Sequence, residues 1–217
     1  EHRLAVGGGF AALAAVAAIT LLELPGAALL TVGAAERSLQ AAMPIALAAI
    51  GGLYAEKSGV FNIGLEGFMI FGALTAAAAA WLISGESAIT QGDLWLAILV
   101  AVVFCALLTV AFAVLTIRYE ADQIVAGLAV WFIGLGFGPF GATVLWGGVS
   151  SPTLPNVNDV AIPGLAEVPV LGPLLFDTSP LVLLTLVLTA LAWVVLYRTR
   201  YGYWIQAAGE NPEALDT

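Results

Sequence analysis

Between two long apolar runs of this chain lies the segment Ala55-Glu-Lys-Ser-Gly-Val-Phe-Asn-Ile-Gly-Leu-Glu-Gly-Phe-Met-Ile-Phe-Gly72. It sets four charged or amide side chains among four glycines; these side chains are Glu56, Lys57, Asn62 and Glu66. In bare hydrocarbon such groups would be left without hydrogen-bond partners, so they must meet water, a protein-lined cavity or a partner. We interpret the segment as the polar centre of a membrane transporter.

Two structural expectations follow from the spacing within this segment. Asn62 and Glu66 are four residues apart, so on a helix they would share one face. Together with Gln123, which opens a later apolar run, they are the candidate residues of a substrate pathway. The candidate positions for a helix break or for close helix packing in this segment are Gly59, Gly64 and Gly67.

The composition sets the class of protein. Of 217 residues, 61% are hydrophobic and 10% are charged, and the mean hydropathy is +1.03. Soluble domains carry about 25% charged residues, so we predict an integral protein of the cell membrane. The net charge of −9 argues against a nucleic-acid partner.

Six apolar runs are long enough to be candidate membrane spans, if the shorter ones borrow flanking residues. They cover residues 4–22, 39–54, 68–83, 94–117, 124–145 and 181–196, with Ser38 as the candidate N-cap of the second run. Two of them, the second and third, are short. Either they extend into the polar segment, or residues 55–67 dip into the membrane as a broken helix. The predicted fold class is an all-α transmembrane bundle with broken or kinked helices.

The distribution of cations predicts the orientation. With a cytoplasmic N-terminus, five of the six cations fall on inner segments and only Arg37 falls outside; the inner ones are Arg3, Lys57, Arg118, Arg198 and Arg200. Aromatic residues agree, with Trp81, Trp95 and Trp146 at predicted outer ends and Tyr54, Tyr119 and Tyr197 at inner ends. We therefore predict six spans with both ends of the chain inside.

Two regions late in the chain suggest interrupted or binding structure. Gly136, Gly138 and Pro139 in the fifth run predict a kink or an interruption of the helix, or a fraying helix end. The outer segment, residues 147–180, lacks Lys and Arg and is rich in proline. Its length predicts either a binding or lid role or a rigid spacer.

The predicted cytoplasmic tail covers residues 197–217. Asn211, Pro212 and Glu213 form a helix-start pattern, with a cap, a proline in the first turn and an acid near the positive end of the helix dipole. A short helix on this side suits docking to a soluble partner, although an ordinary loop helix has the same pattern.

Catalytic chemistry has few residues to use in this sequence. It contains one histidine and one cysteine, and it has no metal-ligand cluster, no Ser/His/Asp set and no Walker-type loop. No catalytic residue is therefore predicted, and the chain is not expected to be an enzyme. Glu66 is either a functional intramembrane acid, as in an ion-coupled carrier, or a cap of the third span. For Asp122 and Gln123, a helix-capping role is favoured over pathway lining.

Three segments together resemble the permease subunits of ABC importers in the ribose and branched-chain amino-acid permease superfamily, in particular the branch for nucleosides and simple sugars. They are Glu56-Lys-Ser-Gly-Val-Phe-Asn-Ile-Gly-Leu-Glu-Gly67, Ala121-Asp-Gln-Ile-Val-Ala-Gly127 and Arg200-Tyr-Gly-Tyr-Trp-Ile-Gln-Ala-Ala-Gly-Glu-Asn-Pro-Glu-Ala214. The resemblance covers most of the chain, and further spans normally follow in the family.

The resemblance implies a single permease domain over residues 1–217, embedded in lipid, that carries a small-molecule substrate such as a nucleoside, a simple sugar or a branched-chain amino acid. It implies three partners, namely an ATP-binding subunit, a second permease and an external solute-binding protein. No cofactor is expected on this chain, since ATP and Mg²⁺ would bind the partner ATPase. The implied ATPase-coupling residues are Tyr201, Gly202, Gly209, Glu210, Asn211, Pro212 and Glu213.

Overall fold

The computed structural model describes residues 31–85, 87–169 and 171–212. These residues contain six α-helices: α1 (Val32–Lys57), α2 (Leu65–Ser84), α3 (Gln91–Ala113), α4 (Gln123–Trp146), α5 (Pro180–Arg198) and α6 (Arg200–Glu210). α3 continues into a π-helical turn, Val114–Arg118, and a second such turn covers Gly172–Phe176. Two short strands, β1 (Val160–Ala161) and β2 (Asp177–Thr178), pair antiparallel. The predicted all-α fold class is confirmed.

Five of the described helices, counting the π-helical turn with α3, are long and apolar enough to cross a membrane. They have 19 to 28 residues and mean hydropathies from 1.4 to 3.1. Their side chains face outward to an extent that water would not tolerate; Leu107 and Val125, for example, are both 64% exposed. The chain is therefore a multi-pass membrane protein. The first predicted span, residues 4–22, lies outside the described residues.

Side-chain caps define where the helices begin. At the start of α3, Thr90 and Asp93 form a capping box, in which the Thr90 N–H donates to Asp93 Oδ2 at 2.8 Å. At the start of α4, Asp122 Oδ1 accepts from the N–H groups of Ile124 and Val125, each at 2.9 Å. The favoured capping role of Asp122 is thus confirmed. α4 ends at Gly147, whose left-handed φ of 72° suits glycine.

One predicted helix start was wrong, and the predicted interruption of a second helix is absent. α1 begins at Val32, and Thr31 Oγ1 accepts from the Ala34 N–H at 3.1 Å, so Ser38 is not the N-cap. Instead the Ser38 hydroxyl donates to the Ala34 carbonyl within the helix at 2.8 Å. α4 runs without interruption through Pro139. The proline lacks the N–H of one ladder hydrogen bond and crowds the carbonyl one turn earlier, yet the residues on both sides of it stay helical.

The described part of the chain divides into two compact units. One comprises residues 31–46 and 158–188, and it contains the β1–β2 pair. The other comprises residues 47–157 and 189–212. In this second unit α2 packs against both α3 and α4, and the rings of Trp81 and Trp146 meet edge to face at 6.3 Å. The segment 147–180 contributes residues to both units, and its role as a lid or spacer stays a prediction.

Candidate functional site

The polar segment separates α1 from α2 by a non-helical break at residues 58–64, which we call the polar break. Both helices extend into the segment, as one of the two predicted alternatives required. α1 ends in a Schellman motif, in which Gly59 N–H donates to the Glu56 carbonyl at 3.1 Å and Val60 N–H donates to the Ala55 carbonyl at 2.9 Å. Gly59 adopts φ +83°, so it is the residue that lets the chain leave the helix.

Two side-chain amides bind the backbone of the polar break. Asn62 Oδ1 accepts from the Gly64 N–H at 2.8 Å, which closes a local Asx-type turn. Gln123 Oε1, at the start of α4, accepts from the Phe61 N–H at 2.6 Å. Because Asn62 lies before α2 rather than on it, the predicted shared helical face with Glu66 was wrong. Asn62 and Gln123 both help to shape the break, whatever else they contact.

The first turns of α4 pack directly on the polar break. A Cβ atom placed on Gly64 would lie 2.9 Å from the Gly127 carbonyl oxygen, and one on Gly127 would lie 3.0 Å from the Ile63 nitrogen. Real Cβ atoms essentially never come closer than 3.0 Å to such neighbours, and a contact of 3.0 Å is already tighter than nine in ten. The backbones of the break and of α4 therefore approach as closely as only glycine permits.

This close approach continues along α2 and α4. A Cβ on Gly67 would lie 2.5 Å from the Val130 carbonyl oxygen, and one on Gly134 would lie 2.8 Å from Gly67 Cα. Further along, a Cβ on Gly141 would lie 2.7 Å from Leu74 Cδ2. We call this the glycine seam; its members are Gly64, Gly67, Gly127, Gly134, Gly138 and Gly141.

The sequence analysis names three of the six seam glycines, Gly64, Gly67 and Gly138, and it missed the other three although a signal was present. Gly127, Gly134 and Gly141 recur every seven residues, which places them on one face of α4. The sequence analysis interprets the late glycines as a kink, an interruption or a fraying end of the helix. Gly136 lies off the seam, and among the described residues a Cβ there would have no heavy atom within 4 Å outside the nearby backbone of α4.

α6 ends against the turn that opens the polar break. A Cβ on Gly209 would overlap the Lys57 carbonyl oxygen and would lie 2.9 Å from the Gly59 nitrogen. Gly209 therefore lets the end of α6 sit on the Schellman turn of α1. The two segments are 150 residues apart in the chain, as Gly59 and Gly209 show, and only folding brings them together.

The other predicted coupling residues lie on or just after α6. Gly202 is buried, whereas Tyr201, Glu210, Asn211 and Pro212 are exposed. Asn211 ends α6, with its N–H donating to the Ala207 carbonyl at 2.9 Å. Glu213, needed for the predicted helix start, lies outside the described residues.

Glu66 stands in the first turn of α2 and is exposed. There a carboxylate interacts favourably with the positive end of the helix dipole. The structure thus brings Asn62 and Gln123 to the same loop, with Glu66 on the helix that follows. Their role in a substrate pathway stays a prediction.

A shallow, largely apolar cleft lies between α2 and α4, towards Trp146 and away from the polar break. Pro139 and Gly138 line it, together with Ser150 and Ser151 beyond the end of α4. The Trp146 Nε1 atom is buried and has no hydrogen-bond partner among the described residues. The cleft offers a ring-sized apolar surface with few polar groups.

The Gln123 hydrogen bond leads to a prediction on stability. Replacing Gln123 by leucine removes the acceptor of the Phe61 N–H, and we expect unfolding to become easier by about 1 kcal/mol. Gln123→Glu keeps an oxygen acceptor and should lose less. The measurement is the melting temperature of the purified protein in detergent, monitored by fluorescence-detected size-exclusion chromatography. Equal melting temperatures for Gln123→Leu and the unmodified chain would show that the bond does not hold the break in place.

Long apolar helices joined along a glycine seam, with a polar break at one end, define a polytopic helical membrane protein. The sequence profile of the family described as "Branched-chain amino acid transport system / permease component" matches residues 34–217. The chain belongs to this family of permeases, which are non-enzymatic membrane subunits.

Curated relatives agree with this assignment. The chain is 36% identical over 178 residues to a guanosine ABC transporter permease protein of Bacillus subtilis, covering 81% of this chain and 55% of the relative. It is 32% identical to a nucleoside ABC transporter permease protein of Lactococcus lactis, covering 80% and 55%. It is 31% identical to a putative glucose ABC transporter permease protein of Haloferax volcanii, covering 85% and 54%. The chain spans about half the length of these relatives, and no solved structure matches it.

Proposed function

We propose that the chain is part of the permease subunit of an ATP-driven importer for nucleosides or related simple sugars. One structural observation carries this proposal: Gly209, at the end of α6, lies against the turn of Lys57 and Gly59 that opens the polar break. A movement of the tail would therefore be passed directly to the polar centre of the membrane domain.

The substrate class is argued from the relatives and from the chemistry of the break. The descriptions of the relatives named above mention guanosine, nucleosides or glucose. A polar but largely uncharged pathway suits such solutes, because their hydroxyl and amide groups exchange hydrogen bonds with neutral side chains. Asn62 and Gln123 have that character; of the acids near them in the sequence, Glu66 is exposed and the Asp122 carboxylate caps α4.

Three partners complete the proposed importer. An ATP-binding subunit would dock at the tail, residues 197–217, on the predicted cytoplasmic side. A second permease would complete the pathway, and an external solute-binding protein would deliver the solute. Hydrolysis of ATP would then take place in the partner and not in this chain.

Removal of the tail tests this function. In the complete permease, reconstituted with its ATP-binding subunit and solute-binding protein, deletion of residues 201–217 should abolish ATP-driven uptake of labelled guanosine. Glu213→Arg should do the same with a smaller disturbance of the fold, since it reverses a charge in the proposed docking segment. Membrane insertion, measured by the amount of permease in washed membranes, should not change.

Two outcomes would contradict the proposal. Unchanged uptake by Glu213→Arg together with the deletion variant would remove the coupling role of the tail. Uptake that continues without ATP but stops with an uncoupler would replace the importer with an ion-coupled carrier. As a matched control, Glu213→Asp keeps the negative charge at the same position and should leave uptake unchanged.

A further inference from the structure

Arginine and aromatic side chains cluster where α5 passes into α6. The Arg198 guanidinium lies 5.2 Å from the centre of the Trp193 ring. Beyond the single residue between the helices, the Arg200 guanidinium lies 5.2 Å from the Tyr201 ring and 5.7 Å from the Trp204 ring. We call this cluster the arginine–aromatic corner; its members are Trp193, Tyr197, Arg198, Arg200, Tyr201 and Trp204.

The backbone of this corner is held in place by short contacts. Gln206 Nε2 donates to the Leu196 carbonyl at 2.8 Å and to the Gly202 carbonyl at 3.1 Å. A Cβ on Gly202 would overlap the Leu196 carbonyl oxygen, so α6 packs on the end of α5 as closely as a glycine allows. Thr199 caps α6 by accepting from the Gly202 N–H at 3.4 Å. The two arginines are therefore presented from a fixed turn.

The corner is exposed and positively charged in a strongly acidic chain. Trp193, Tyr201 and Trp204 are each more than half exposed, at 52%, 53% and 53%. No acidic residue occurs between Asp177 and Glu210, whereas the whole chain carries a net charge of −9. Two of its six cations lie within this acid-free part. A negatively charged group can approach the corner without meeting a nearby carboxylate from the same part of the chain.

We propose that the arginine–aromatic corner binds the headgroups of anionic phospholipids. A guanidinium pairs with phosphate oxygens through two parallel hydrogen bonds, and stacking on an aromatic ring orients it beforehand. Tryptophan and tyrosine rings lie preferentially at the level of the headgroups, where one edge is apolar and the other meets water. Since α5 is a candidate span that ends at Arg198, its end places the corner at such a surface.

This inference goes beyond the proposed importer function, because lipid binding does not depend on which solute is carried. The corner overlaps the start of the tail at which the ATP-binding subunit is proposed to dock, and an acidic surface of that subunit could also pair with the two arginines. Such a protein surface would not need the three exposed aromatic rings, one on α5 and two on α6, and these rings favour lipid. The partner subunit is therefore treated as an outcome of the test.

The test counts bound lipid. The complete permease is delipidated in detergent, titrated with phosphatidylglycerol or with phosphatidylcholine, and examined by native mass spectrometry. Replacing both arginines, Arg198→Gln with Arg200→Gln, should weaken the tightest phosphatidylglycerol binding by about thirtyfold, because each arginine near an anionic surface contributes about 1 kcal/mol. Phosphatidylcholine binding should not change.

A matched control separates this site from general charge. Arg118, in the π-helical turn at the end of α3, is an exposed arginine for which the structure records no ring contact. Arg118→Gln should leave the tightest phosphatidylglycerol binding as it is. Arg198→Lys with Arg200→Lys should retain part of the affinity, since the charge remains but the planar fork is lost.

Three results would overturn the inference. Phosphatidylglycerol binding by the double glutamine variant could equal that of the unmodified permease. The Arg118→Gln control could lose as much affinity as the double variant. The ATP-binding subunit, added in excess, could displace the lipid while the double variant fails to bind that subunit. None of these results depends on uptake, so failure of the importer proposal would be seen separately.

Discussion

Gly67→Ala is expected to prevent the permease from folding stably, because the added methyl group would enter the backbone of α4. Its Cβ would lie 2.5 Å from the Val130 carbonyl oxygen and 2.8 Å from the Trp131 Cα. Backbone atoms of a packed helix cannot turn aside as a flexible side chain can. Overpacking costs typically about 1–3 kcal/mol, and we expect this substitution to lie at the upper end or beyond it.

The measurement is the melting temperature and the monodisperse yield of the complete permease in detergent. Gly136→Ala is the matched control, since it changes the same residue type within α4 and, among the described residues, its Cβ would have no heavy atom within 4 Å outside the nearby backbone of α4. Alanine also has a higher helix propensity than glycine, so the control should be neutral or slightly stabilising. If Gly67→Ala melted at the same temperature as Gly136→Ala, the close approach of α2 and α4 would be refuted.

Gly209→Val should abolish most ATP-driven uptake while the permease still inserts and folds. The valine side chain would overlap the Lys57 carbonyl oxygen and crowd the Gly59 nitrogen, so the end of α6 would have to move away from the polar break. A strain of about 2 kcal/mol from such overpacking would disfavour the seated arrangement by about thirtyfold. This prediction rests on the proposed coupling role of the tail.

Uptake and ATP hydrolysis are measured together for this variant in reconstituted vesicles. We expect ATP hydrolysis by the partner subunit to continue with little transport, which is the mark of lost coupling rather than lost assembly. Gly148→Val is the control, because its Cβ would have no heavy atom within 4 Å and its backbone φ lies outside the left-handed region. Normal uptake by Gly209→Val would show that the contact between the end of α6 and the end of α1 does not couple ATP hydrolysis to transport.

Much of the fold could be predicted from residue types alone. The long apolar runs predicted the helices, because a backbone in hydrocarbon must satisfy its own hydrogen bonds. Asp122 was predicted as a cap because its carboxylate precedes an apolar run, and the structure agrees. Helix ends without such a signal were predicted less accurately. Ser38 precedes an apolar run as an N-cap would, but its hydroxyl donates to the Ala34 carbonyl inside α1.

The candidate site was predicted only in part. Its polar and glycine residues were identified, because polar groups in an apolar chain require shelter. Their partners were not. Nothing local shows that Gln123 would bind the Phe61 N–H, or that Pro139 would be tolerated inside a continuous α4. These depend on contacts between segments that are far apart along the chain.

Hydrophobicity and charge therefore establish, with no knowledge of packing, that this chain spans a membrane and carries a polar break near Asn62. Transfer of side chains between water and lipid is a property of each residue, and it can be added along the chain. Which glycines allow backbone contact is not such a property. Gly67 and Gly136 are the same residue in similar apolar surroundings, and only the packing of α2 on α4 makes the first indispensable and leaves the second free of neighbours. The contact between Gly209 and Gly59 likewise forms only when the folded chain brings these distant segments together.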